Sequence, residues 1–163
     1  MGIRDIPLTT IDGDETTLAE YADDVVLIVN VASRCGLSPQ YEQLEQLQRT
    51  YGDQGFSVLG FPSNQFLQEL DSEDAIKEYC SMTWGVTFPM FERLKVNGKN
   101  RHPLYQELTK VPDGAGKAGR VQWNFEKFLV TPDDVVHRFR PTTVPDDPEI
   151  VATIEAALSS REG

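Results

Sequence analysis

Residues 25–39 read VVLIVNVASRCGLSP, and the order of residue types in this stretch decides the fold. Val25, Val26, Leu27, Ile28 and Val29 form an unbroken aliphatic run. A strand covered on both faces shows this continuous pattern, because neither face can carry polar side chains. Turn residues follow, Cys35 among them, and Ser38-Pro39 supplies a helix start. The serine hydroxyl can cap, and a proline at the first helical position loses no hydrogen bond. Cys35 is therefore predicted at the corner between a buried strand and a helix N-terminus, where backbone N–H groups and the helix dipole favour a thiolate. The bland alternative is a packed cysteine, one of the most buried residue types. The strand-to-helix context argues against it.

Downstream, Tyr41, Leu44, Leu47 and Tyr51 recur at helical spacing, Gly52 and Gly55 punctuate the chain, and residues 56–61 (FSVLGF) read as a second strand. Strand, helix and strand in this order make a βαβ unit, right-handed as a rule. Upstream, Asp12-Gly13 between short β-prone runs marks a hairpin. Asp71 and Ser72 are cap candidates for a second helix, running through Ile76 and Tyr79 to Cys80. Trp84-Gly85 and Phe88-Pro89 break it. Residues 103–108 suggest a short helix, and residues 113–119 (DGAGKAG) a flexible, mobile loop. Residues 125–130 and 135–139 flank the turn Thr131-Pro132-Asp133-Asp134 as a second hairpin. Asp147 and Pro148 begin a last helix whose buried stripe is Ile150, Val151, Ile154, Ala157 and Leu158. With no repeat and no linker, residues 1–163 are expected to form one domain.

A chain of 163 residues can build a core without metal or disulfide staples. A net charge of −11 with no basic cluster excludes nucleic-acid binding and fits a solvated surface. No 18-residue apolar run spans a membrane, and MGIRDIPLTT lacks the apolar centre of a signal peptide, so a cytoplasmic location is expected. Two cysteines in a reducing compartment point to chemistry rather than to a permanent bridge. Phosphate-loop and dinucleotide-binding glycine motifs are absent. His102 and His137 lack cysteine partners at metal-site spacing, so no metal site is expected, and each reads as a surface or hydrogen-bonding residue. Neither can be placed beside a cysteine as a base from sequence.

Cys35-Gly36-Leu37-Ser38 has the form of a C-x-x-C redox motif with serine in its second position. With βαβ early and ββα late, it predicts an α/β thioredoxin-like fold, a central mixed sheet with flanking helices. Three further blocks point to a family. Residues 30–36 (NVASRCG) resemble the N-V-A-S-x-C-G signature of the glutathione peroxidases, whose selenium-containing members place selenocysteine where this chain has Cys35. Residues 60–66 (GFPSNQF) resemble the family's G-F-P-x-N-Q-F block, and residues 123–129 (WNFEKFL) its W-N-F-x-K-F-L block.

The resemblance implies a thiol peroxidase. Cys35 would attack the O–O bond of hydrogen peroxide or an organic hydroperoxide and become a sulfenic acid. Trp123 and Asn124 match two of the three family side chains that surround that sulfur, and both can donate hydrogen bonds without titrating. The third is a glutamine. The family usually reads N-Q-F-x-x-Q-E, whereas this chain reads NQFLQE, one residue shorter. Aligning the Gln-Glu pair gives Gln68, with Gln65 as the alternative. The frequent family cysteine after F-P is Ser63, and Leu70-Asp71 replaces the usual Pro-Gly. Cys80, on the second helix, matches the resolving cysteine of members that use thioredoxin; a buried helix cysteine is the plain alternative. It would condense with the Cys35 sulfenate, and thioredoxin would reduce the disulfide. No metal, flavin, haem or other cofactor is implied. Three other readings stay open: a glutathione-dependent peroxidase, a peroxide sensor passing its disulfide to a partner protein, and a monothiol glutaredoxin-like reductase built on Cys35 and Ser38. Tetrameric members carry an extra loop before W-N-F; residues 109–122 are short here, which predicts a monomer.

Overall fold

The computed structural model describes residues 2–162. A small hairpin of β1 (Leu8–Thr9) and β2 (Glu15–Thr16) comes first, turning at Asp12-Gly13. The main sheet has four strands: β3 (Val25–Val31), β4 (Phe56–Pro62), β5 (Lys127–Val130) and β6 (Val136–Phe139), in the order β4-β3-β5-β6. The β3 and β4 strands are parallel, while β5 is antiparallel to both of its neighbours. Helices α1 (Gln40–Tyr51), α2 (Glu73–Tyr79), α3 (Pro103–Leu108) and α4 (Pro148–Glu162) complete the fold.

The continuous burial of β3 follows from what covers each face. Val25, Leu27, Val29 and Val31 pack with Tyr41, Leu44 and Leu47 of α1 and Ile150, Ile154 and Leu158 of α4. Val26 and Ile28 point the other way, into Leu104, Tyr105 and Leu108 of α3 with Leu18, Phe61, Phe91 and Phe128. Period-two alternation sends successive side chains to two different apolar layers, so every β3 residue is apolar except Asn30. Cys35 belongs to the α1–α4 layer. Beyond β4, Gly60 meets Met90: Gly60 N–H donates to the Pro89 carbonyl at 3.0 Å and Phe91 N–H to the Gly60 carbonyl at 2.9 Å. A Cβ on Gly60 would lie 2.5 Å from Met90 Sδ, so any larger residue there would have to displace the Met90 side chain.

Four local expectations need correction. The Ser38 hydroxyl does not cap α1, which starts at Gln40 with Pro39 as its cap residue and no side-chain cap bond. Consecutive turns carry the chain into the helix instead, with Ser38 N–H on the Cys35 carbonyl, Gln40 N–H on Leu37 and Tyr41 N–H on Ser38, each at 2.9 Å. The α2 helix is capped by Ser72, whose hydroxyl accepts from Ala75 N–H, but it ends at Tyr79. Cys80 opens a π-helical turn (Cys80–Trp84) closed by Gly85 in left-handed backbone at φ 62°. Strand β5 begins two residues later than the hairpin pattern suggested, because the Asn30 side chain of β3 takes the Trp123 carbonyl and the Glu126 N–H in place of regular ladder bonds. Residues 113–119 are pinned rather than loose. Asp113 accepts from Ala115 and Lys117 N–H and pairs with Arg140 at 2.8 Å, while Arg138 donates to the Gly119 carbonyl at 2.8 Å. Glycine-rich composition signals flexibility only where nothing outside the loop holds the backbone; two arginines from the β6 hairpin hold it here. The remaining starts agree with the sequence: Asp147 caps α4 through Glu149 N–H, and α3 begins at Pro103, with His102 Nδ1 accepting from Leu104 N–H as a cap that the sequence reading did not name.

Candidate active site

Cys35 follows β3 by four residues and is 4 % exposed, with its thiol free. The Leu37 N–H donates to its Sγ at 3.3 Å, so the tight turn aims a backbone donor at the sulfur. Arg34 is exposed and makes no ion pair among the described residues.

Two segments converge on this corner. The first is residues 64–70. Arg34 N–H donates to the Gln68 carbonyl at 2.8 Å, and Ser33 N–H and Oγ–H donate to Glu69 Oε1 at 3.0 and 2.5 Å. Glu69 N–H in turn donates to Asn64 Oδ1 at 3.1 Å. The second is the tryptophan block. Asn30, the one polar residue of β3, straps it down: its amide donates to the Trp123 carbonyl, its Oδ1 accepts from Glu126 N–H, and its carbonyl accepts from Phe125 N–H.

These straps bring Gln68 and Asn124 together, Asn124 Nδ2 donating to Gln68 Oε1 at 3.1 Å. The Gln68 Nε2 has no hydrogen-bond partner among the described residues, nor has the Trp123 indole N–H. Asn124 is fully buried, whereas Trp123 is 38 % exposed and packs on Phe66 with ring centroids 4.9 Å apart. Leu67, just before Gln68, and Phe125, just after Asn124, both adopt left-handed backbone, φ 60° and 66°. Such conformations cost about 1–3 kcal/mol each for a bulky residue and persist where surrounding structure imposes them. Gln65 is engaged elsewhere: its Oε1 accepts from Val96 and Asn97 N–H at 2.5 and 2.8 Å, and its Nε2 donates to the Asn97 carbonyl at 2.8 Å.

Cys80 is 2 % exposed, free, and packed in the same apolar layer as Cys35. Burial pushes its thiol up to about 11, the neighbouring Tyr41 hydroxyl opposing and the Glu69 charge adding to the rise. Tyr41 also touches Tyr79, Trp84 and Phe125, joining the Cys80 turn to the floor of the tryptophan block. Tyr41 and Glu69 are the residues that sequence reading missed. Tyr41 was legible only as one position on a helical face. Glu69 was legible only as the neighbour of Gln68. No group of three or more His, Cys, Asp or Glu side chains among the described residues is arranged to hold a metal.

Comparison with known proteins identifies the family. The sequence profile described as Glutathione peroxidase matches residues 3–109. The chain is 50 % identical to Thioredoxin/glutathione peroxidase BtuE of Escherichia coli (strain K12), over 96 % of this chain and all of that one. The crystal structure of Trgpx in apo form superposes with a TM-score of 0.76 at 37 % identity, covering 98 % of this chain and 97 % of that one. A thiol:disulfide interchange protein of the thioredoxin family from Chlorobium tepidum TLS, 18 % identical with a TM-score of 0.64 over 94 % of this chain and 92 % of that one, shares the fold. The thioredoxin-like core, the profile and a relative identical at half of its positions agree: this chain is a peroxidase of the glutathione peroxidase family.

Proposed function

We propose that Cys35 reduces hydrogen peroxide and organic hydroperoxides, that Cys80 resolves the resulting sulfenate, and that thioredoxin reopens the Cys35–Cys80 disulfide. The observation that carries this reading is the Gln68–Asn124 hydrogen bond beside the Cys35 corner. It fixes the Gln68 amide so that its Nε2 can donate to a peroxide oxygen or to the sulfur, with Trp123 Nε1 and Leu37 N–H as further donors. The thiolate attacks one oxygen; the O–O bond breaks, and the departing oxygen leaves as water or an alcohol. Phe66, Trp123 and Leu67, which is 85 % exposed, make an apolar rim suited to the organic part of a hydroperoxide. Residues 109–122 offer pinned backbone rather than an apolar contact face, which supports a monomer in solution. The cytoplasm is the proposed location, since both cysteines are free thiols, the state that a reducing compartment maintains.

The deciding experiment measures peroxide consumption separately with a thioredoxin system and with glutathione. Turnover with thioredoxin that disappears in Cys35→Ser is expected; no turnover with either reductant refutes the reading. Glutathione is the second reading because the Escherichia coli relative is named for both reductants. Turnover with glutathione alone, unaffected by Cys80→Ser, would establish it.

A further inference from the structure

Trp123 and Asn124 lie on a stretch that the sheet does not hold by itself. Strand β5 starts only at Lys127, and Phe125 sits in left-handed backbone at φ 66°, which a bulky residue keeps only where its surroundings impose it. Two sets of bonds impose it. From β3, Asn30 takes the Trp123 carbonyl and the N–H groups of Phe125 and Glu126. From within the stretch, the Glu126 side chain turns back, and its Oε1 accepts from Gln122 N–H at 2.9 Å. Residues 122–126 are thereby closed into a ring that spans Trp123 and Asn124.

Glu126 is fully buried, and both of its oxygens are in use. Its Oε2 accepts from Arg138 Nε at 2.7 Å and from Arg140 Nη1 at 3.1 Å. Burying a carboxylate is costly unless it is paired, and two guanidinium groups pair this one. Arg138 also donates to the carbonyls of Gly119 and Arg120, so the cation that anchors Glu126 fixes the chain as it enters the ring. Gln122 is exposed, so water could satisfy its N–H equally well. What a buried, doubly anchored carboxylate adds is a fixed direction for that N–H, and with it a fixed path for the two residues that follow. Within the ring, the Asn124 side chain reaches Gln68 Oε1 at 3.1 Å, and the Phe125 ring meets the edge of Tyr41 with centroids 5.2 Å apart.

We infer that Glu126 is a positioning residue for the peroxidase reaction: by closing the ring of residues 122–126 it holds the Trp123 indole and the Asn124 amide where they serve Cys35. The inference rests on the reading of Trp123, Asn124 and Gln68 as the side chains that assist the Cys35 sulfur. Glu126 acts through them rather than on the sulfur or the peroxide. Aligned donors stabilise the charge that develops as the O–O bond breaks, and a displacement of about 1 Å can cost about a hundredfold in rate. Gln68 would feel the same slack, because its Oε1 is held by the Asn124 amide.

The test is a mutant cycle on the second-order rate of Cys35 oxidation by hydrogen peroxide, followed by stopped flow at a temperature where every variant is folded. Glu126→Gln in the otherwise unchanged chain is expected to lower the rate about tenfold. In a Trp123→Phe/Asn124→Ala background the same substitution should alter the remaining rate by less than about twofold, because the groups it positions are gone. Equal slowing in both backgrounds would show general loosening of the fold, and no slowing in the unchanged chain would show that nothing is positioned; either overturns the inference. A spectroscopic readout accompanies the rates. The chain has two tryptophans, so in Trp84→Phe the emission is that of Trp123 alone. Adding Glu126→Gln should make that emission easier to quench with acrylamide, and unchanged quenching overturns the inference. Should Glu126→Gln fail to fold, Glu126→Asp takes its place in the cycle with the same expected outcomes, since it keeps the charge for the arginines and shortens the arm by one carbon. If Trp123→Phe/Asn124→Ala leaves the rate as it was, the reading of those side chains fails and the Glu126 assignment falls with it. A slowed background that Glu126→Gln slows tenfold again refutes the Glu126 assignment alone.

Discussion

Gln65 has both ends of its amide committed to the Val96–Asn97 turn, whereas Gln68 accepts from Asn124 and keeps its Nε2 available. Truncating them should therefore have different consequences. Gln68→Ala is expected to lower the second-order rate of Cys35 oxidation about a hundredfold, the order found for loss of one aligned donor, with little change in stability. Gln65→Ala should leave that rate within a few-fold and lower stability by about 1–3 kcal/mol, because the Val96 N–H loses its partner. Stopped-flow oxidation and urea melts of the two variants read both halves; a reversed pattern would assign the role to Gln65. Sequence could not choose between them, because a one-residue deletion changes the spacing while hydrogen bonds to Asn97 and Asn124, distant in the chain, decide the direction of each side chain. Cys80 allows a second test at this scale. In Cys35→Ser it is the remaining thiol, and with its ionisation pushed up to about 11 it should react with iodoacetamide at about pH 8 at least about a hundredfold more slowly than free cysteine. Denaturant should restore the free rate. Fast labelling in the folded state would mean that the buried, protonated thiol described here is not the state in solution.

The element that carries Cys80 is short and held from outside. The seven residues of α2 are too few to be stable alone. Glu73 pairs with Arg93 at 2.8 Å, and Lys77 pairs with Asp12 at 2.5 Å. Beyond the π turn, both oxygens of Glu45 grip Thr87 from α1, at 2.7 and 2.6 Å. Burial alone would raise the Glu45 carboxyl, but the Thr87 bonds and Arg49 outweigh it and hold it below its usual range. The Cys80 turn is unevenly held: Met82 is 79 % exposed, while Trp84 stacks on Tyr41 and donates its indole N–H to the Tyr79 hydroxyl. Cys80→Ser should thus leave one reduction of peroxide per molecule nearly intact, abolish thioredoxin-driven cycling, and let Cys35 climb to sulfinic and sulfonic acid under excess peroxide. Undiminished cycling would remove Cys80 from the mechanism. Most of these elements were legible in sequence, since apolar periodicity and the Ser72, Pro103 and Asp147 starts are local signals. The π turn was not, because it depends on Gly85 adopting left-handed backbone and on Thr87 being seized by a distant carboxylate. Ser38 misled for a related reason: its hydroxyl suits a cap, but the turns that bury Cys35 bring the helix in by another route.

Charge is distributed through the whole molecule in a way that joins the hairpin, the residues 111–120 segment and the tryptophan block. Glu126 and Arg138 are both fully buried as side chains and pair at 2.6 Å, and Arg140 adds a second cation at 3.1 Å. Arg138 also donates to the carbonyls of Val111, Gly119 and Arg120. Asp113 is held down to about 2, by the Lys117 backbone N–H first and then by Arg140. Its folded-state value lies below the unfolded one, so its contribution to stability is complete above the ordinary aspartate range and is lost as pH falls toward about 2. An Asp113→Asn variant should show a shallower loss of stability across that acid window than the parent, measured by urea melts at each pH. The buried pair is the stronger test of how the parts cooperate. We propose that the chain is one domain, and that Arg138 is a main link between its C-terminal hairpin and the segment leading to Trp123. Arg138→Met removes one partner of a buried ion pair, a change that costs about 3–5 kcal/mol, which lowers Tm by roughly 6–20 °C for a domain of this size. Lys110→Ala, which breaks an exposed pair with Glu107, should stay within about 0.5 kcal/mol as a control. Because the segment that Arg138 anchors runs into Trp123 and Asn124, Cys35 oxidation should slow in the same variant at temperatures where it is still folded. Calorimetry should show one transition for parent and variant alike; a separate early transition in Arg138→Met would mean that the hairpin unfolds independently, and the one-domain proposal would fail.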